Sequence, residues 1–225
     1  LNIGAGARGL AMGGAVISNQ NDVYSPMWNP AGLIDIDRDW QGAAMHAEYF
    51  ESIAKYDYIA FAKPLDNNGG VFAISVVRLG VDNILNTTQM IDSEGNIDYD
   101  KITSFSQSDY AALRSYAFRP GSHRLSVGIN TKMVYRNVGK FASGYGFGFD
   151  LGVLYNADNG INYGAMLRDA TTTVNFWTVN QDELSAVVNG EQFNPAPKDK
   201  MEITMPKLNL GISKKFEINR DLELL

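Results

Sequence analysis

Gly4, Gly6 and Gly9 spell G-x-G-x-x-G inside the opening run LNIGAGARGLAMGGA, the spacing of a turn that cradles a dinucleotide pyrophosphate. That chemistry needs a buried strand before the glycines, a helix after them, and an acidic residue about 20 positions further on to hold a ribose. Asp22 stands at a workable distance. Only Leu1, Asn2 and Ile3 precede Gly4, however, and Pro26 and Pro30 interrupt VYSPMWNPAGL where the second strand of a βαβ unit should form. The glycines therefore read as points of close backbone packing in a compact, irregular segment.

The other chemistry-bearing residues are sparse. His46 and His123 are the only histidines, too few for a His-rich metal site, and both read as ordinary side chains. The absence of cysteine removes disulfides, thiol catalysis and Cys-based zinc sites. Neither G-x-S-x-G nor H-E-x-x-H occurs. The carboxylates of DSEGNIDYD (92–100) lack the paired ligands before the glycine and the terminal Glu of a calcium loop, so they read as a solvated loop. No catalytic residue, metal or cofactor is expected, and the chain does not read as an enzyme. With 19 basic and 25 acidic residues the net charge is −6, which argues against nucleic acid as a partner.

The elements that must position any site are strands. In RLSVGINTKMVYR, Leu125, Val127, Ile129, Met133 and Tyr135 fall on one face, while Ser126, Gly128, Asn130, Lys132 and Arg136 fall on the other. In GYGFGFDLGVLYN, Tyr145, Phe147, Phe149, Leu151, Val153 and Tyr155 alternate with Gly144, Gly146, Gly148, Asp150 and Gly152. Weaker alternation marks 41–50, 55–65, 70–80, 109–119, 161–171 and 207–216, and a further strand begins at Leu222. Tight turns fall at 66–69, 119–122, 156–160 and 218–221, whereas 81–108, 137–143 and 172–206 are longer connections. Successive hairpins put the tight turns at one end of the sheet and the long loops at the other, as in outer-membrane barrels. A soluble sandwich or lipocalin-like barrel also alternates, but with its charged face outward. Here the polar face is rich in Gly, Ser and Asn, which suits a filled or wet lumen, and the apolar face carries Tyr135, Tyr145 and Tyr155 near strand ends.

The fold class expected is therefore all-β, a transmembrane antiparallel barrel, with eight strands and the start of a ninth. Bacterial barrels close with even strand numbers and an open edge in lipid is costly, so further C-terminal strands are expected. The chain begins without Met and stops at DLELL, and reads as a processed piece of something longer.

The block IGAGARGLAMGGAV (3–16), the element NDVYSPMWNPAGL (21–33), the strands YDYIAFAKPL and GVFAISVVRLG, and ASGYGFGFDLGVLY (142–155) together resemble the PorV/PorQ family of Bacteroidota outer-membrane proteins, within the wider FadL-like barrels. Gly4, Gly6, Ala7, Arg8, Met12, Gly13, Gly14 and Ala15 match the first motif, and Trp28, Asn29, Pro30, Ala31, Gly32 and Leu33 the second. The resemblance implies that residues 1–39 fold as a plug inside the lumen and that 40–225 form the barrel, about fourteen strands when complete. Arg8 would then be a buried cation needing a carboxylate, with Asp150 and Glu48 as candidates, or backbone carbonyls. It further implies a component of the type IX protein secretion system, in the outer membrane. Such a component binds the large translocon barrel and the C-terminal signal domains of secreted cargo through extracellular loops. On that reading Phe176, Trp177 and Phe193, in the loop 172–206, are the partner-binding candidates, with outer-membrane lipid around the barrel. The alternative is a FadL-type conduit for small hydrophobic molecules, which the polar lumen face disfavours.

Overall fold

Alternating runs become long strands here, and several are longer than their patterns predict. The computed structural model describes residues 3–36, 39–65, 69–92, 94–121, 123–188, 191–193, 200–219 and 222–224. Strands β1 (Gln41–Tyr49), β2 (Ala54–Pro64), β3 (Val71–Asn86), β4 (Thr103–Phe118), β5 (Leu125–Val138) and β6 (Ala142–Asn156) are successive antiparallel neighbours. The second half of β6 pairs with β7 (Ile161–Arg168) and its first half with β8 (Thr173–Val179). From the Leu151–Leu167 pair to the Phe147–Val174 pair, β6 advances four residues and the facing chain seven. β7 and β8 are thus one strand path broken by a bulge, where Asp169 and Thr172 take φ values of 53° and 64°.

Beyond β8 come the two-stranded ribbon of β9 (Ala186–Val188) and β10 (Glu191–Phe193), then β11 (Met201–Thr204) and β12 (Lys207–Lys214). β11 pairs with β8 and β12 with β7, so the broken path is matched by a second one. A short ribbon of β13 (Phe216–Asn219) and β14 (Leu222–Leu224) follows. The main sheet holds ten strands in the order β1 to β7 and then β12, with β8 and β11 alongside. Among the described residues its ends do not meet, so the sheet is open. Among those residues, too, no helix is long and apolar enough to cross a membrane, which says nothing of a sheet.

Three expected connections change. The 81–108 connection shrinks to 87–102, because β3 continues past a bulge at Asp82 and Asn83 (φ 57° at Asn83) and β4 starts at Thr103. The bulge breaks the period-two pattern without ending the pairing. The 137–143 connection is a turn of three residues, 139–141. The 172–206 loop contains β8 to β11, which begin only beyond the bulge at Asp169 and Thr172.

The sheet has one covered and one bare face. An N-terminal segment lies on the covered face and is built from α1 (Ala7–Ala11), α2 (Ser25–Trp28) and a 3-10 helix, Pro30–Asp35. Prolines open the last two, where a missing N–H costs nothing, and the Asn29 side chain accepts from the Ala31 N–H to cap the 3-10 helix. Against β2–β4 the contact is apolar. Val23, Met27, Leu33 and Ile36 join Tyr56, Tyr58, Val77, Ala111 and Leu113 in one buried cluster. The bare face is apolar too, and carries Ile59, Ile74, Met133, Tyr145, Phe147, Leu151, Leu210 and Ile212.

Candidate functional site

The glycines of the opening motif surround an indole. An added Cβ at Gly4 would lie 2.4 Å from the Trp28 ring, and one at Gly9 2.7 Å from it; Gly4 also holds a φ of +84°. The Trp28 Nε1–H donates to the Ala5 carbonyl at 2.7 Å. Gly6 packs the same way on Tyr24, Gly14 borders Trp28, Gly13 borders open space, and Met12 is at the surface. The helix these glycines open is five residues long and no strand precedes it among the described residues, so the dinucleotide geometry is absent.

The W-N-P-A-G-L element is where the segment locks onto the sheet. Asn29 is fully buried, and its Nδ2 donates to the carbonyls of Ile17 at 2.9 Å and Val153 at 3.1 Å. Gly128 and Gly152 admit Pro30 and its neighbours. A Cβ at Gly128 would sit 2.2 Å from the Ala31 nitrogen, and one at Gly152 2.2 Å from the Asn29 Oδ1. Gly32 passes equally close to the Gln20 carbonyl.

Arg8 departs from expectation. It is only half-buried and its Nη1 donates to the Asn19 carbonyl at 3.1 Å. Neither proposed carboxylate reaches it: Asp150 is held by Lys132 and Asn130, and Glu48 lies on the bare face beside His46 and Ser52. The partner-binding candidates are also not one surface. Phe176 and Trp177 are adjacent in a strand and so point to opposite faces. Phe176 stands exposed on the bare face, paired in register with Tyr145. Trp177 turns to the covered side, where its Nε1–H donates to Glu202 at 3.0 Å. Phe193 ends β10, and its side chain lies outside the described residues.

Between the N-terminal segment and the strands lies a polar cavity of about 280 Å³, bordered by Pro26 and Met27 on one side. Its centre is an ionic network. Lys132 Nζ reaches Asp150 at 3.3 Å and also pairs with Asp169, to which the Thr173 hydroxyl donates. The Asp169 N–H donates to Asp150 at 2.8 Å, a bond that the φ of 53° in the bulge makes possible. Asn130 bridges the Pro26 carbonyl at 2.8 Å and Asp150 at 3.1 Å, and Arg168 donates to the Met27 carbonyl. A second group stands beside it. Arg136 contacts Asp109 at 3.3 Å and Glu202 at 2.9 Å and lies over the Trp177 ring, 5.0 Å from its centre. Four carboxylates face three cations, so the cluster carries one negative charge in excess. This arrangement can hold water or a polar solute. Val77, Ala111, Leu113 and Val134 line the same space, so charged and apolar groups share its wall.

The sequence reading picked out Asp150 but not the network. Lys132 and Arg136 were visible on the polar face of their strand, whereas Asp169 needed the bulge and Asp109 needed the β4–β5 register. Compared with family models, with curated proteins and with solved structures, the chain matches none.

Proposed function

We propose that this chain is part of an outer-membrane β-barrel whose N-terminal segment plugs the lumen, and that it acts in type IX protein secretion. On this reading it binds the large translocon barrel and the C-terminal signal domains of cargo. The observation that carries the membrane part is the bare face of β5, β6 and β12, which is apolar and uncharged although the covered face behind it holds Asn130, Lys132, Arg136 and Asp150. On β6 the bare-face residues Tyr145 and Tyr155 are ten positions apart. At about 3.3 Å per residue and a tilt of about 40°, that spans about 25 Å of height, the depth of an outer-membrane apolar band between its aromatic girdles. The secretion part is supported by the joint motifs at 3–16 and 21–33. The connections 87–102 and 180–200 are the docking loops.

The test is gentle extraction of the native protein in mild detergent, followed by mass spectrometry of what accompanies it. A very large outer-membrane partner, or cargo with a C-terminal signal domain, supports the proposal. A lone barrel carrying lipid or hydrocarbon overturns it.

A further inference from the structure

The polar cavity between the N-terminal segment and the strands holds its charge unevenly. Lys132 and Arg168 match Asp150 and Asp169 in number, whereas Asp109 and Glu202 share the guanidinium of Arg136. The negative charge in excess therefore lies in the Arg136 group, and unused acceptors lie there too. Asp109 is 8 % exposed and sets its Oδ2 against Arg136, while its Oδ1 has no hydrogen-bond partner among the described residues. Asn175 is 5 % exposed and paired in register with Glu202, and among the same residues its Oδ1 has no partner either. An aliphatic wall begins beside them. One cross-strand row runs from Val77 through Ala111, Val134 and Gly146 to Asn175 and Glu202. Ala111 stands two positions along β4 from Asp109, about 7 Å at the rise of a strand.

A buried acceptor without a donor is costly, and a cavity with a surplus carboxylate draws a cation. A bare calcium or magnesium ion asks for about six or more oxygens. Among the described residues no group of three or more His, Cys, Asp or Glu is placed to hold a metal ion. A primary ammonium instead brings donors and no acceptor. We infer that this cavity binds a small organic cation, a primary ammonium on a short apolar body. The ammonium donates to Asp109 and Asn175, and the body lies against Ala111, Val134 and Val77. The terminal torsion of an Asp side chain is broad, so a small turn of the Asp109 carboxylate presents its unused oxygen to the ligand. This inference goes beyond the secretion reading and does not depend on it.

The test is calorimetric titration of n-butylammonium chloride into the full-length protein purified in mild detergent, with the same titration into detergent alone subtracted. The neutral isostere n-butanol and calcium chloride serve as comparison ligands. Saturable binding of one butylammonium per chain is expected, at least tenfold tighter than that of butanol and undiminished by an equal concentration of calcium. Asp109→Asn removes the surplus charge and should weaken butylammonium at least tenfold. Ala111→Leu keeps every charge and fills the aliphatic wall, and should weaken it as much; the unfolding midpoint of each variant shows whether it is folded. Absence of saturable binding, butanol bound as tightly as butylammonium, displacement by calcium, or binding indifferent to the folded variants would overturn the inference. The first two comparisons need no variant, so they decide the matter even where a substitution unfolds the protein.

Discussion

The N-terminal segment meets the sheet in two different ways. Against β2–β4 it is adhesive, with apolar side chains such as Leu33 and Met27 packed on Tyr56, Tyr58 and Val77. Against β5–β7 it is directional, with Asn29, Asn130 and Arg168 exchanging hydrogen bonds with backbone carbonyls across small residues. Hydrophobic burial scales with area and tolerates sliding, whereas a buried amide in a glycine-lined slot tolerates only one register. One side holds the segment down, and the other says where.

Substitutions should separate the two roles. Asn29→Ala removes the bonds to Ile17 and Val153 and leaves buried carbonyls without donors, so a loss of about 4 kcal/mol is expected from urea unfolding in detergent. Leu33→Ala, on the adhesive side, should cost about 3 kcal/mol by transfer and cavity terms while protection of the β6 and β7 amides persists. If Leu33→Ala released those amides as fully as Asn29→Ala, the division of labour would be wrong. Tyr58→Phe deletes a single buried bond, from the Tyr58 hydroxyl to the Val23 carbonyl at 2.9 Å, and should cost about 1 kcal/mol.

The smallest effect expected lies outside the sheet. Asp92 accepts backbone hydrogen bonds from Asn96 and Glu94 and one from the Asn96 side chain, and these hold its carboxyl below the ordinary carboxylate value. A depressed acid contributes order above its ordinary pKa and loses it as pH falls through the lowered one. The Glu94 and Asn96 amides should therefore lose protection relative to their intrinsic exchange rates as pH falls below the ordinary carboxylate value, with the global unfolding midpoint unmoved, and Asp92→Asn should abolish that pH dependence.

The same contrast explains what could be read in the sequence. The strands of β5 and β6 were legible because period-two alternation runs along them with few exceptions, such as Val134, and so was the polarity of each face. The extensions of β3 and β4 were not, because Asn83 shifts the register by a bulge, and neither were β8 and β11, which lie beyond the Asp169–Thr172 bulge. The glycine motif was legible as packing, though not what it packs on; Trp28 is nineteen positions after Gly9. Of the two kinds of partner expected for Arg8, the carbonyl is the one found, at Asn19 within the segment, while neither Asp150 nor Glu48 reaches it.

The central claim is that the bare apolar face meets lipid and the covered face does not. The chain has no cysteine, so single cysteines can be placed and spin-labelled without background. Labels at Phe147, Leu151 and Tyr155, compared with one at Lys132 on the covered face and one at Asp158 in the exposed turn after β6, should be read in bilayers for collision with oxygen and with a water-soluble nickel complex. The account predicts high oxygen and low nickel accessibility at the first three, low accessibility to both at Lys132, and high nickel accessibility at Asp158. Nickel accessibility at Phe147 and Leu151 equal to that at Asp158 would contradict it.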